Sequence, residues 1–220
     1  MNDEETLKGN IDEAILALAP KFGVSPETLA TFRSPTVLVC DVIETRTEPR
    51  IPIRSDGMYI FDEARFKLTR HALNDLLLLG HEVSHYLHNE INPQFRQRMK
   101  DYGGEDPEFW IGFELQELVG EYGGIIYTTS KGVGSSARSR GLYCDNGVPG
   151  LIARLSDCAH DLAARRADKA FSEHGEELLP RLSRLGLDEA DEILFRLLPV
   201  TFYEKRILPV LDRLRRKGQK

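Results

Sequence analysis

The sequence predicts an α+β protein in which a small mixed sheet packs on one buried helix and a mostly helical region follows. Two observations predict this class. Residues 36–62 are rich in β-branched residues and turn signals, whereas apolar residues recur at helical spacing before them and from Leu151 onward. With 220 residues and a hydrophobic share of 41%, the chain can bury a core of its own.

Two helices are expected before the sheet. Apolar residues recur at helical spacing over residues 3–19, and Pro20 ends the pattern. In Ser25-Pro26-Glu27, the serine suits the N-cap and the proline suits the first helical position. This triplet therefore predicts a short second helix.

Three strands are expected next. Residues 36–43 are β-branched and uninterrupted, and the short segment 50–53 contains a proline that suits a sheet edge. Asp56-Gly57 is a turn signal ahead of the third strand, residues 58–61. Together these segments predict a small sheet immediately before the next helix.

That helix is predicted from about Arg65 to Asn89, ahead of Asn92-Pro93. The apolar run at residues 76–79 favours its burial in the core. The motif H-E-x-x-H follows this run directly. A rigid, buried element would therefore hold the side chains of the motif.

The motif consists of His81, Glu82 and His85. At 100° per residue, the two histidines lie one turn apart on the same face of a helix. Two neutral imidazoles in that arrangement can bind one Zn²⁺, with Glu82 beside the metal as a general base. The sequence therefore predicts a zinc site on this helix.

A second long helix is expected to begin at Asp106-Pro107, with aspartate as N-cap and proline at the first helical position. Catalytic zinc normally has three protein ligands, and this helix offers Glu117 and Glu121 one turn apart. The glycines at positions 120, 123 and 124 would let it approach the first helix closely. We expect Glu117 to bind the metal and Glu121 to accept a hydrogen bond from the second nitrogen of a liganding histidine.

Two other interpretations of these helices exist. His88 is seven residues from His81, about 10.5 Å along an unbroken helix, so both cannot hold one ion. His88 is therefore expected to support the site from outside the metal's ligands or to lie on the surface. The second interpretation is that the helix binds no metal and that Glu114, Glu117 and Glu121 form a solvated acidic stripe.

The combination resembles the zincin metallopeptidases of the gluzincin type. The match is His81-Glu82-x-x-His85 followed by Glu117-x-x-Gly120-Glu121-x-x-Gly124. The second segment is similar to the E-x-x-A-D-x-x-A pattern of the HtpX and CAAX prenyl protease group and, more loosely, to the ligand helix of ImmA/IrrE-type peptidases. This chain has Glu where Asp is usual and Gly where Ala is usual, so the choice between Glu117 and Glu121 as ligand stays open. The resemblance implies a zincin-like fold, whose edge strand pairs with an extended substrate; residues 58–62 are the candidate.

The expected domain organisation has three parts. Residues 1–130 would form the zincin-like metallopeptidase domain with its N-terminal helices. Residues 131–150 are rich in glycine and serine and are expected to form a flexible loop. Residues 151–220 would form a helical C-terminal region packed on the first part, with breaks at glycines and prolines.

The expected activity is zinc-dependent hydrolysis of peptide bonds in a peptide or protein substrate. Zinc would lower the pKa of its water towards ~7 and polarise the scissile carbonyl, and Glu82 would take the proton and pass it to the leaving amine. A further donor should stabilise the oxyanion. Tyr127, Tyr143, His160 and His174 are candidates among which the sequence does not choose. The alternative is a catalytically inactive zincin-fold regulatory or protein-binding module.

Composition excludes several partners. The net charge of −6 predicts no nucleic-acid partner, although the C-terminal tail is locally basic. No apolar run approaches the ~18–20 residues that span a bilayer, and the acidic start lacks the pattern of a signal peptide. The 3 cysteines show no CxxC spacing. We therefore expect a cytoplasmic protein with reduced thiols, acting away from membranes.

Overall fold

The computed structural model describes residues 2–47, 51–102, 106–133 and 151–198 and has the predicted α+β class. Short 3₁₀ turns at Ala19–Phe22 and Arg70–Asn74 join some of its elements. The strands are β1 (Thr36–Cys40), β2 (Ile43–Thr47), β3 (Ile51–Ser55), β4 (Gly57–Ile60) and β5 (Arg65–Thr69). The helices are α1 (Asp3–Leu18), α2 (Pro26–Leu29), α3 (Leu76–Ile91), α4 (Pro93–Met99), α5 (Pro107–Ser130), α6 (Leu151–His174), α7 (Leu179–Leu182) and α8 (Leu187–Leu197).

The described strands form two sheets. In the order β1-β5-β4, β5 is parallel to β1 and antiparallel to β4, so this three-stranded sheet is mixed, as predicted. The segment predicted as one strand over residues 36–43 ends at Cys40, and β2 begins at Ile43 and pairs with β3 in a separate hairpin. β4 lies at an edge of the mixed sheet, where the sequence predicted an edge strand.

The predicted start of the metal helix at Arg65 is wrong. Residues 65–69 form the central strand β5, in which Phe66 and Leu68 are fully buried and alternate with the less buried Arg65 and Lys67. This period of two belongs to a strand, and pairing on both edges stabilises it. The helix begins at Leu76, where the Asp75 carboxylate accepts a hydrogen bond from the backbone N–H of Leu78 at 3.0 Å.

The helix α3 lies at the centre of the core. It contacts α1, the edge strand β4 and, most extensively, α5. The other side of α5 packs against α6 and α8. Both α3 and α5 are therefore covered by protein on nearly all sides, and most of their residues from Leu77 to Asn89 and from Glu114 to Thr128 are buried.

The C-terminal part is helical as far as the structure describes it. The helix α6 ends at His174 ahead of Gly175, and α8 begins after Gly186, as the glycines predicted. Pro180 lies inside the first turn of α7 rather than between helices. The Gly/Ser-rich loop predicted over residues 131–150 lies outside the described residues from 134 onward, and so does the basic tail within residues 199–220.

Among the described helices, none combines the length and apolar character that crossing a membrane requires.

Candidate metal centre

The helix α3 contributes three buried polar side chains to one location. His81, Glu82 and His85 are each more than nine-tenths buried. The two imidazole rings lie edge to face, with centroids 4.6 Å apart, and their Nε2 atoms are separated by 2.9 Å. The spacing of four residues therefore brings both Nε2 atoms to the same point, as predicted.

The helix α5 contributes Glu117 and Glu121 from the opposite side. Both carboxylates are buried, with Glu121 only 1% exposed. Glu117 Oε2 lies 3.5 Å from His81 Nε2 and 3.9 Å from His85 Nε2. Glu121 Oε1 lies 3.5 Å from the other nitrogen of His81, Nδ1. The burial of these groups and of Glu114 contradicts the alternative of a solvated acidic stripe.

Glycine allows the two helices to meet this closely. A Cβ on Gly120 would lie 2.8 Å from Cε1 of His81, and one on Gly124 would lie 2.9 Å from the carbonyl oxygen of Leu77. A Cβ on Gly123 would overlap the hydroxyl of Ser84. Real Cβ contacts are not this short, so side chains at these positions would push the helices apart. The close packing that the glycines predicted is present.

Three ligand atoms converge in a geometry that fits a zinc ion. Nε2 of His81, Nε2 of His85 and Oε2 of Glu117 form a compact group, the one among the described residues that could hold a metal ion. A point equidistant from the three atoms lies about 2.0 Å from each, and zinc bonds to imidazole nitrogen or carboxylate oxygen measure about 2.0–2.2 Å. Two imidazoles and one carboxylate form a donor set that catalytic zinc uses.

Several polar atoms around this point make no well-aligned hydrogen bond. Within the described residues, these are Oε2 of Glu117, Oε1 of Glu121 and Nδ1 of both His81 and His85, all of them buried. Oε2 of Glu117 does face Nε2 of His160 at 2.9 Å, but this contact is not aligned as a hydrogen bond. Buried polar groups in native proteins are normally paired, because desolvation without a partner costs about 1–3 kcal/mol each. A cation between the rings and the carboxylate would supply the missing partner of Glu117 and would polarise His81 towards Glu121.

The charges in the cluster are strongly coupled. Burial disfavours the charged form of His81, but the carboxylates of Glu117 and Glu121 outweigh it and raise the pKa of His81 well above its ordinary value. Burial and the nearby charge of His81 lower the pKa of His85 to about 3, so this ring is neutral. Burial opposes ionisation of Glu117, but the adjacent His160 and His81 hold its pKa well below the ordinary value. Glu117 is therefore an anion that contacts both His81, whose raised pKa favours its charged form, and the neutral His85.

Glu82 lies between α3 and the edge strand. Its Cγ would be 3.2 Å from a Cβ on Gly57, and the backbone amide of Tyr59 faces its carboxylate. Burial raises the pKa of Glu82 to about 7, although the charge of His81 opposes this rise. A carboxyl group with that pKa exchanges a proton readily near neutral pH. The predicted general base thus lies beside both the cluster and the strand predicted to pair with substrate.

His160 of α6 is the additional group that the structure brings to the cluster. Its Nε2 lies 2.9 Å from Oε2 of Glu117, and its side chain is 18% exposed. The ring packs edge to face on Phe113, with centroids 5.9 Å apart. The sequence named His160 only as one of four candidate oxyanion donors, because no spacing connects a lone histidine on a distant helix to the motif.

The other candidate donors lie elsewhere. The ring of Tyr127 lies beneath Lys131, 5.4 Å from its Nζ, and packs against Gly80. His174 is half-exposed at the end of α6, about 21 Å from His160 along the helix. Tyr143 falls outside the described residues. Of the four, the described part of the chain places only His160 against Glu117.

Of the two positions predicted for His88, the one on the surface is wrong. The residue is 2% exposed, so it does not lie on the surface, and its ring packs on Phe95 with centroids 5.2 Å apart. Its Nε2 has no hydrogen-bond partner among the described residues, so it does not support a ligand of the cluster through that atom. Burial lowers its pKa to about 4, and His88 is therefore a neutral member of the core.

Comparison with known proteins identifies no relative: no protein-family model matches the chain, and neither a curated protein nor a solved structure matches it significantly.

Proposed function

We propose that this protein is a zinc-dependent metallopeptidase of the zincin type. The observation that carries the proposal is the convergence of His81, His85 and Glu117 on one point, with Glu82 beside them against an edge strand. A bound cation suits a buried cluster of two imidazoles and two carboxylates. Glu82 has no role in holding that cation, so its place there favours catalysis over a purely structural site.

The roles of the residues follow from their positions. His81, His85 and Glu117 hold the metal, and Glu121 orients His81 through Nδ1. When bound, zinc supplies a Lewis acid that polarises a peptide carbonyl and acidifies a water molecule. Glu82 accepts a proton from the attacking water and transfers it to the leaving amine. Burial of the whole group excludes other water and strengthens these interactions.

The edge strand β4 positions the substrate. Its residues run beside α3, and an extended peptide that adds to this edge passes the carboxylate of Glu82. His160 of α6 faces Glu117 and can donate a hydrogen bond to an oxygen that gains charge during the reaction. The substrate is therefore a peptide in extended conformation.

The direct test is the variant Glu82→Gln. Zinc-loaded wild type should cleave a mixed peptide pool, detected by mass spectrometry, and Glu82→Gln should lower the rate by about 10²- to 10⁴-fold, as expected for loss of a general base. Its zinc content should match wild type. The control Glu108→Gln removes an exposed carboxylate from α5 and should leave the rate unchanged. Equal rates for wild type and Glu82→Gln would refute the mechanism.

A second candidate is a catalytically inactive zincin-fold module that regulates or binds another protein. The position of His160 favours it: Nε2 of His160 lies 2.9 Å from Oε2 of Glu117, and a movement of the ring onto the metal would add a fourth protein ligand and leave no place for water. The variant His160→Ala separates the two. In the peptidase the variant keeps its zinc and loses activity, whereas in a closed site it loses zinc.

A further inference from the structure

A cleft of about 310 Å³ lies at the end of the edge strand, near the candidate metal ligands His81, His85 and Glu117. Its walls come from the chain before β1 and after β4, and from α3 and α4. The side chains that matter here are Arg33, Phe61, Asp62, Glu90, Arg96 and Lys100. They include three cations and two carboxylates, so the cleft has one positive charge in excess.

Two of the cations are already paired. Arg33 contacts Glu90 through its guanidinium at 2.7 Å and also donates to the carbonyl oxygen of Phe61 at 3.1 Å. Lys100 forms an ion pair with Asp62 at 2.8 Å. Both carboxylates of the cleft are therefore occupied by other cations.

Arg96 has no such partner among the described residues. It is half-buried, its Nε lacks a hydrogen-bond partner, and no carboxylate of the described chain lies within ion-pair distance. Its guanidinium lies over the ring of Phe61, 4.2 Å from the centroid. This stacking holds the guanidinium in one orientation and leaves its donors directed away from the ring.

Arg96 is close to the candidate metal ligands. The ring of Phe61 is 6.1 Å from that of His85, so the guanidinium of Arg96 lies at most about 10 Å from the His85 ring. An extended peptide spans about 3.3–3.6 Å per residue. A peptide on β4 that crosses the cluster would thus reach Arg96 within two or three residues of the bond that is cut.

We propose that Arg96 forms a subsite for a carboxylate of the peptide substrate, two or three residues from the scissile bond. This inference rests on the proposed function, because it assigns a substrate class to the same site. A carboxylate suits the guanidinium fork, and its single charge matches the excess charge of the cleft. The carboxylate comes either from an acidic side chain or from the C-terminus of the peptide.

Binding to the zinc-loaded Glu82→Gln protein tests the subsite without hydrolysis. The probes are fluorescein-labelled pools of short peptides, random in uncharged residues except for one fixed position, measured by fluorescence anisotropy. One pool contains Glu at that position with an amidated C-terminus, one contains Gln with an amidated C-terminus, and one contains Gln with a free C-terminus. We expect an anionic pool to bind about tenfold more tightly than the neutral pool. Preference for the Glu pool identifies a side chain, and preference for the third pool identifies the C-terminus.

Arg96→Gln should abolish this preference, and Arg98→Gln, on the exposed side of α4, should retain it. Arg96→Lys should retain part of it, because the charge remains while the fork is lost. Equal binding of all three pools, or a preference that survives in Arg96→Gln, would overturn the proposal. If wild type cleaves peptides without any acidic preference, the subsite fails and the peptidase stands. If wild type cleaves nothing but the preference is present, the peptidase fails and Arg96 is a carboxylate-binding site for a peptide that is bound and not cut.

Discussion

Two clusters of buried charge lie one turn apart on α5 and differ in how they are balanced. Glu114 faces Arg166 of α6, and both side chains are almost fully buried in direct ion-pair contact. Arg166 also donates from Nε to the carbonyl oxygen of Leu194 at 3.1 Å. Glu117 and Glu121, on the next turns, face histidines and leave buried oxygens without a hydrogen bond.

The Glu114–Arg166 pair shows that this fold can neutralise a buried charge with protein groups alone. The Glu114–Arg166 cluster is complete with protein groups, and it joins α5, α6 and α8. The cluster of His81, His85 and Glu117 has the same depth of burial but unpaired polar atoms. Since the protein pairs a buried carboxylate directly with an arginine one turn away, the imperfect pairing of Glu117 and Glu121 with histidines is the feature on which the proposed cation site rests.

The largest effect is expected from Arg166→Met. This change leaves Glu114 buried without its partner and should lower the free energy of unfolding by about 3–5 kcal/mol, measured by urea denaturation. The double variant Glu114→Gln/Arg166→Met removes both charges and should recover a large part of the loss. A single variant as stable as wild type would contradict the view that this pair is a closed, interdependent unit.

A smaller effect on stability is expected from His88, a buried histidine of α3 outside the metal-binding group. Its pKa in the folded protein is about 4, below its ordinary value of 6.5, because burial disfavours its charged form. As pH falls from about 6.5 towards 4, the unfolded chain binds a proton that the folded chain does not. Stability should therefore fall by about 1.4 kcal/mol per pH unit, up to about 3 kcal/mol.

The variant His88→Leu isolates this contribution. It should show a flatter dependence of unfolding free energy on pH between 4 and 6.5 than wild type does, while its zinc content stays unchanged. His174→Gln, a change at the half-exposed histidine of α6, serves as the matched control and should keep the wild-type slope. Loss of zinc in His88→Leu would show that zinc binding depends on α3 residues beyond His85.

The smallest effect is expected from Gly120→Ala. The added Cβ would press on the ring of His81, so we expect a loss of about 1–3 kcal/mol in stability together with weaker zinc binding in a chelator competition. Gly9→Ala is the matched control, because a Cβ there meets no atom within 4 Å and α1 should gain up to about 1 kcal/mol. Similar gains in both variants would argue that α3 and α5 are not in tight contact.

Local patterns in the sequence predicted much of the fold. Caps and prolines located α1, α2 and α5, and the H-E-x-x-H spacing located the two histidines on one face of α3. The strand β5 was missed because the residues before α3 were assigned to the helix, although their alternation of apolar and charged residues is that of a strand. Its pairing with β1 and β4 is a long-range contact, which a local pattern does not contain.

The parts of the candidate site that could be predicted are those whose residues recur at helical spacing in the sequence. The glycines of α5 identified the helix that faces α3, and the four-residue step from Glu117 to Glu121 placed both carboxylates towards His81. His160, Arg96 and the pairing of Glu114 with Arg166 depend on how distant helices pack, and no motif encodes them. The metal and the activity stay predictions.

Metal content tests the central claim most directly. Wild type, Glu117→Ala and Glu121→Ala should be purified under the same conditions, and the zinc of each folded protein should be measured by mass spectrometry against protein concentration. The account predicts about one zinc per wild-type chain, a large loss in Glu117→Ala and a smaller loss in Glu121→Ala. A wild type that binds no zinc, or a Glu117→Ala variant that holds as much zinc as wild type, would contradict it.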